Sequence, residues 1–343
     1  MINVGIVGGS GYTGAELLRL LVSHPDVKVV VVTSRSCADV KIGRVYPNLA
    51  RTLDICFSVL DLSQLQQCDV VFFTTPHGVS QTLAPKLLNS GIKVIDLSAD
   101  FRIRDIAVWE RWYGVKHRAP ELIPKAVYGL PEFNDERIRE ADLIACPGCY
   151  PTSIQLGLLP LLRCQHLDTK DIIVNASSGV SGAGRTASLT NIYTEVGDNY
   201  KAYAADGHRH LPEVVQGLRD ISGRSVEVTF VPHLLPINRG IHATIFVNLT
   251  DLDLNLHDLY TTAFVDKPFV SILPLGDHPQ TRNVRGSNFC QIGLHRPFGG
   301  RKAIILVVID NLIKGASGQA IQCMNLMFDL PETCGLTSIA SVP

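Results

Sequence analysis

The stretch from Ile2 to Leu21 constrains this chain more than any other. It reads I-N-V-G-I-V, then G-G-S-G-Y-T-G, then A-E-L-L-R-L-L. The opening run, Ile2 to Val7, reads as a buried strand. Ala15 to Val22 has the apolar spacing of an amphipathic helix. Gly8, Gly11 and Gly14 fall at G-x-x-G-x-x-G spacing in the turn between them. Strand, glycine turn and helix in that order make the first unit of a doubly wound parallel sheet. Small residues in such a turn let the backbone approach a pyrophosphate resting on the helix N-terminus. Gly8, Ser10, Gly11, Tyr12, Thr13 and Gly14 are therefore candidate dinucleotide-binding residues.

A second strand, Val27 to Val32, ends in Thr33-Ser34-Arg35-Ser36. An NAD site usually carries an acid here to accept from the ribose hydroxyl, whereas this chain carries hydroxyls and a guanidinium, which suit a 2′-phosphate. NADP, read through Ser34 and Arg35, is the expected cofactor. Further strands are expected at Asp69–Phe73 and Lys93–Leu97. Between them T-T-P-H-G-V-S turns from a strand end into a helix and sets Thr75, Pro76 and Gly78 beside the cofactor, while His77, with no nearby partner, reads as polar surface. Ser98-Ala99-Asp100-Phe101-Arg102 closes the next strand at the same edge. Arg102 is a candidate anion clamp, with a salt bridge to Asp100 or Asp105 as the equal alternative. Residues Trp109 to Asn134 read as an irregular surface excursion before the sheet resumes at Asp142.

At 343 residues the chain exceeds what one hydrophobic core usually supports, so two domains are expected. Apolar residues at 46% and a formal net charge of -1, with no basic run, exclude a disordered chain and electrostatic binding to nucleic acid or an anionic membrane. A small molecule is the expected partner, and no metal site is expected. Nine cysteines at irregular spacings do not form a disulfide framework, which points to a reducing compartment, hence the cytoplasm. Met1 leads straight into a strand, so no signal or transit peptide is expected, and no apolar run approaches membrane-spanning length.

Ala145 to Thr152 reads A-C-P-G-C-Y-P-T, between the apolar run Leu143-Ile144-Ala145 and a helix-like run from Ser153 to Leu159. Pro147 and Gly148 force a turn, and Pro151 suits a first helical turn. Cys149 is thereby set at a strand-to-helix elbow, where the positive end of the helix dipole favours thiolate. Cys146 is expected to be an inert buried residue.

Beyond Pro160 the texture changes. A strand from Asp171 to Ala176 leads into S-S-G-V-S-G-A-G-R, a hydroxyl-rich loop holding Ser178 and Gly179 that is able to cup a ligand. His208-Arg209-His210, followed by a Pro-Glu helix start, is dense functional chemistry for a loop. Val226–Val231 and Ile241–Leu249 read as antiparallel strands of an α+β second domain. Lys302 to Asp310 is another strand, and a helix is expected from Asn311 to near Phe328.

The motifs G-G-S-G-Y-T-G-A-E, S-A-D-F-R, Y-G-L-P-E, A-C-P-G-C-Y-P-T, S-S-G-V-S-G-A-G-R, H-R-H-L-P-E, P-H-L-L-P-I-N-R-G and D-N-L-I-K-G-A-S-G-Q-A occur in this order from residue 8 to residue 320. In them the chain resembles the N-acetyl-gamma-glutamyl-phosphate reductases of arginine biosynthesis, in the aspartate-semialdehyde dehydrogenase superfamily. Cys323 departs from the family pattern, at a position expected to bear on packing or subunit contacts rather than on chemistry. The resemblance implies an α/β fold: a doubly wound Rossmann-type NADP-binding domain over 1–148 and 312–343, and an α+β substrate and oligomerisation domain over 149–311 with a mostly antiparallel sheet. It implies attack by Cys149 on an acyl phosphate, hydride from NADPH to the resulting thioester, and a homodimer or homotetramer. His208 aligns as the acid/base and His210 as a substrate contact, and the two are exchangeable. Ser98, Arg102 and Arg239 would meet the substrate; Ser178, Gly179 and Asn311 would complete the cofactor site. A sister reductase of aspartyl or N-acyl-aminoadipyl phosphate remains the alternative, and a non-catalytic NADP sensor is disfavoured by the coincidence of thiol and imidazole.

Overall fold

In the computed structural model, which describes residues 1–341, the opening residues form β1 (Ile2–Val7) and α1 (Tyr12–Leu21). The helix begins earlier than its apolar spacing predicts, because Gly11 already serves as its N-cap and accepts from the Ala15 amide. There follow β2 (Val27–Thr33), α2 (Ile42–Val45), α3 (Leu62–Leu65), β3 (Val70–Phe73), α4 (Val79–Asn89) and β4 (Lys93–Asp96). The irregular excursion expected over Trp109–Asn134 is corrected: it holds most of α5 (Ile106–Tyr113), then β5 (Val127–Tyr128) and the start of α6 (Pro131–Arg139), ahead of β6 (Leu143–Ala145). Pro131 opens α6 rather than breaking structure, since a first-turn residue needs no amide hydrogen. Trp109 is fully buried, its indole N–H donating to the Ala99 carbonyl, and Asp105 caps α5 by accepting from the Val108 amide. The six strands pair in the order β2-β1-β3-β4-β6-β5, all parallel. Val7, Phe73, Leu83, Val94 and Leu143 belong to one buried cluster.

The second unit contains α7 (Cys149–Arg163), β7 (Ile172–Gly179), α8 (Tyr193–Val196), β8 (Lys201–Ala202), α9 (Leu211–Ser222), β9 (Val228–Leu235), β10 (Ile241–Asn248), α10 (Leu256–Ala263), β11 (Val270–Ile272), β12 (Cys290–His295) and β13 (Lys302–Ile309). Its sheet runs β11-β12-β13-β10-β7-β9-β8. This sheet is mixed. β10 is antiparallel to β7 and β13, β12 to β13 and β8 to β9, but β7 pairs with β9, and β11 with β12, in parallel. The β7–β9 pairing is parallel because the chain between them crosses over through α9, the connection a parallel pair requires.

After β13 the helix expected from Asn311 does not begin. A turn of π-helical spacing, Ile313–Ser317, precedes α11 (Gly318–Met327). Asp310 causes the delay: its side chain accepts from the amides of Leu312, Ile313 and Gly286, and its carbonyl accepts from Gly315. All ten residues of α11 are buried. The chain divides into Met1–Pro147 with Ala316–Thr337, and Gly148–Gly315 with the described residues from Ser338. The chain returns to the first unit at Ala316, and the last described residues lie with the second unit, where Arg285 donates to the Ser341 carbonyl. Cys323 sits buried against the Gly129 carbonyl, a packing position. Among the described residues no helix is long and apolar enough to cross a membrane.

Candidate active site

In the second unit Cys149 is the first residue of α7, with Gly148 as its N-cap, so the residue stands at the positive end of a 15-residue helix. Three features hold this elbow. The Gly148 amide donates to the buried carboxylate of Glu213, in the first turn of α9, at 2.8 Å. His210, the N-cap of α9, lays its ring on Gly148 so closely that a Cβ there would lie 2.7 Å from Nε2. On the other side Gly315 approaches Cys149, and a Cβ on Gly315 would lie 2.7 Å from the cysteine Cβ. Glycine is required at both positions by contact, not by backbone angle.

His208 lies one contact further out, its ring centroid 4.8 Å from that of His210. Its Nδ1 accepts the His210 amide at 3.1 Å, which leaves Nε2 to carry the hydrogen of the neutral ring. Burial, and then the neighbouring Arg209 charge, bring its pKa down to about 4, so the ring is neutral at physiological pH. Tyr150, Tyr203 and Phe230 close around it edge-on. The two tyrosine hydroxyls meet at 3.1 Å, and burial raises the pKa of both.

The hydroxyl-rich loop after β7 is tied to the P-I-N-R-G turn: the amides of Gly179, Val180 and Ser181 donate to the carbonyls of Gly240, Ile237 and Asn238. Ser178 Oγ donates to the Gly179 carbonyl. Asn311 bridges the same two segments, its Oδ1 accepting from the Gly240 amide and its Nδ2 donating to Ser181 Oγ. Arg239 lies 3.7 Å from the Asp310 carboxylate, its side chain partly exposed. The structure thus gathers Cys149, His208 and His210 around one elbow, and ties Ser178, Gly179 and Asn311 into a second cluster whose polar atoms already serve each other.

The cofactor residues read from the sequence lie in the first unit, where the glycine turn passes a test of fit for a dinucleotide. Gly8 has φ +93°, left-handed backbone that favours glycine. A Cβ on Gly14 would strike the Gly9 backbone at 2.6 Å, so α1 packs directly on the turn. Gly11 caps α1 without a side chain, and the space a Cβ would occupy there is open except for the Gly8 carbonyl at 3.9 Å. Ser34 is buried at the end of β2 and donates to Ser10 Oγ at 2.8 Å, which joins that strand end to the turn, while Arg35 beside it is exposed. Thr13 offers its carbonyl to Ser317, and Tyr12 is exposed at the start of α1. Thr75 has a buried hydroxyl with no partner among the described residues, next to exposed Pro76. These residues fit a pyrophosphate on the amides of α1 and a phosphorylated ribose at the end of β2.

Ser98 and Arg102 are buried at the end of β4. Ser98 donates its amide and hydroxyl to Asp96, and Arg102 donates Nε to the Cys146 carbonyl at 2.6 Å and Nη2 to the Leu97 carbonyl at 2.8 Å. Asp100 accepts from the Gly78 and Gln81 amides and the Ser80 hydroxyl, capping α4. Burial first, then the Asp100 charge, push the Asp96 carboxyl up to about 7. The segment is a brace of β4, α4 and the run into the elbow. Expected surface residue His77 packs edge-on against Tyr113.

Glu213, Asp310 and Gly315 go unassigned in the sequence reading. Glu213 shows only as the acid of a Pro-Glu helix start, and nothing local reveals that it reaches Gly148, 65 positions away.

Residues 3–141 match the family model of the semialdehyde dehydrogenase NAD-binding domain, and residues 149–311 that of the semialdehyde dehydrogenase dimerisation domain. Proteins named N-acetyl-gamma-glutamyl-phosphate reductase from Nitrosococcus oceani and Pseudomonas aeruginosa are each 56% identical, and one from Cellvibrio japonicus 55%, over the whole of both chains. Among solved structures, aspartate semialdehyde dehydrogenase II of Vibrio cholerae superposes with a TM-score of 0.74 at 18% identity, over 96% of this chain and 98% of that one. The Candida albicans aspartate semialdehyde dehydrogenase with NADP gives 0.73 at 16%, over 96% and 99%. Those two likenesses concern the fold. With the full-length relatives and both domain models in agreement, the chain belongs to the semialdehyde dehydrogenase family and, within it, to the N-acetyl-gamma-glutamyl-phosphate reductases.

Proposed function

We propose that the chain catalyses the NADPH-dependent reductive dephosphorylation of N-acetylglutamyl 5-phosphate to N-acetylglutamate 5-semialdehyde, in arginine biosynthesis, through a thioacyl intermediate on Cys149. The observation that carries this is the elbow: a thiol on the first turn of α7, with the His210 ring on the preceding glycine. Cys149 Sγ, its proton passed to His210, attacks the acyl carbon; the carbon–oxygen bond to phosphate breaks and phosphate leaves with the electron pair. NADPH, when bound, supplies the hydride that reduces the thioester. The carbon–sulfur bond then breaks to release the aldehyde, and His210 returns its proton to the thiolate. His210 takes the acid/base role and His208 a positioning one, because His208 spends Nδ1 on the His210 amide and thereby orients the first turn of α9. Arg239, held by Asp310, is the residue for an anionic end of the substrate. Ser178, Gly179 and Asn311 shape the loop beside it, and Ser98 and Arg102 brace the approach to the elbow.

The unit containing the glycine turn would hold NADPH through Gly8, Ser10, Gly11, Tyr12, Thr13, Gly14, Ser34, Arg35, Thr75 and Pro76. The catalytic unit would also form a homodimer. Alternate residues of β10 are buried while His242, Thr244 and Phe246 remain partly exposed, which supports a sheet face left for a second copy. The decisive assay is NADP reduction by N-acetylglutamate semialdehyde plus phosphate, compared with aspartate semialdehyde. A higher kcat/KM for the aspartate compound would reject the substrate assignment while leaving the thiol mechanism standing.

A further inference from the structure

A cavity of about 600 Å³ lies in the first unit, away from its glycine turn. All six strands of the sheet run parallel, so every strand start lies at one end of it and every strand finish at the other. The glycine turn follows the finish of β1. The cavity is lined by Leu143 at the start of β6, Val127 at the start of β5 and Leu88 near the end of α4, and therefore occupies the opposite end. Its apolar floor is Leu88, Leu122, Val127 and Leu143. Around that floor stand two cations, Lys125 and Arg137, and two anions, Glu121 and Glu140. All four are exposed, and none forms an ion pair among the described residues, whereas Asp142, also in the lining, is paired with Lys93 at 3.1 Å. The C-terminus of α4, with Asn89 in the lining, adds the negative end of a helix dipole.

Opposite charges that line one cavity without pairing, above an apolar floor, suit a small dipole with an apolar body. We propose that this cavity binds a free, neutral zwitterionic amino acid, whose carboxylate meets Lys125 and Arg137, whose ammonium meets Glu121 and Glu140, and whose aliphatic side chain lies on the floor. The ligand acts as an effector. The strand that starts in the floor, β6, ends at Ala145, four residues before Cys149, and α4 runs from the cavity back to Gly78 beside the cofactor residues.

The test is calorimetric titration of the full chain with L-leucine, using L-arginine and L-glutamate as charge-mismatched probes. L-Leucine is expected to bind with a Kd of roughly 1 mM, weakened at least about tenfold in Arg137→Ala and in Glu140→Ala. Arg139→Ala, whose side chain pairs with Asp329 outside the cavity, is expected to bind as the parent does. Saturating L-leucine should change kcat or the KM for NADPH by about twofold or more, and NADPH should not displace it. No binding up to ~10 mM, unchanged binding in both rim variants, tighter binding of a mismatched probe, displacement by NADPH, or binding with no kinetic effect would each overturn the proposal.

Discussion

The glycine turn of the first unit and the cysteine elbow of the second are both helix starts with a glycine N-cap, yet they are built in opposite ways. The turn is made by contiguous backbone, Gly8 to Gly14, shaped by one left-handed glycine and one close helix contact. The elbow draws on Gly148 and Cys149, His208 to Glu213, and Asp310 to Gly315, and it is held by a buried carboxylate and an imidazole face. A backbone cradle tolerates most side-chain changes around it. A side-chain assembly concentrates its chemistry in few groups, and each of them is exposed to single substitutions.

The largest effect should come at the thiol. Cys149→Ser is expected to lower kcat by ~10⁴-fold or more, since a serine hydroxyl stays protonated, while the Kd for NADPH stays within about twofold. A parallel loss of cofactor affinity, measured by fluorescence titration, would break the contrast between the two sites. Next comes the imidazole pair. His210→Asn should cost on the order of 10² to 10³ in kcat, and His208→Asn only about tenfold, because the second ring positions and the first moves the proton. Rapid-quench trapping should find less thioacyl enzyme in His210→Asn than in the parent, because the imidazole takes the thiol proton before the attack that forms it. If the two losses are reversed, the assignment of roles by contact with Gly148 is wrong.

This difference in construction also decides what could be read without the structure. Gly8, Gly11 and Gly14 are legible because the conformation they impose depends on neighbours a few positions away. Cys149 is legible for the same reason, with Pro147, Gly148 and Pro151 announcing the elbow locally. Which of His208 and His210 touches Gly148 is not, since both sit in one loop and only the placement of α9 against α7 orients them. Glu213 and Gly315 are hidden for the same cause. The two-residue strand β5 leaves too short a pattern to read, and the prolines around it suggest a loop although Pro131 starts a helix. The parallel β7–β9 pairing follows from a crossover helix, and residue alternation within a strand carries no information on direction.

A smaller effect tests Arg35 as the proposed partner of the cofactor's ribose phosphate. Arg35 is exposed at the end of β2, beside a Ser34 already engaged with Ser10. Arg35→Asp should reduce the ratio of kcat/KM for NADPH over NADH by roughly 10-fold or more through loss of a phosphate partner, with little change for NADH. An unchanged ratio would mean that the backbone and serines alone read the ribose.

The smallest expected effect is on stability, and its sign differs between the two regions. His208 has its folded pKa lowered to about 4, from an ordinary value of 6.5, by burial and Arg209. Between these pH values the unfolded chain binds a proton that the folded chain refuses, so stability falls as pH drops from 6.5 toward 4. Asp96 is shifted the other way, its carboxyl raised to about 7 by burial and Asp100, so the folded chain keeps a proton that the unfolded chain has released above about 4. Its contribution is present at low pH and is lost as pH rises through that window. The two contributions partly cancel in the parent, which should show a shallow dependence of Tm on pH between 4 and 7. His208→Asn should expose the Asp96 slope, with Tm falling by roughly a few degrees as pH rises, and Asp96→Asn should expose the reverse slope of His208. Differential scanning calorimetry of the three proteins across that range measures both. If His208→Asn instead steepens the loss of Tm toward acid pH, the buried imidazole is already protonated in the folded chain, and it could not serve as the neutral acceptor that orients His210.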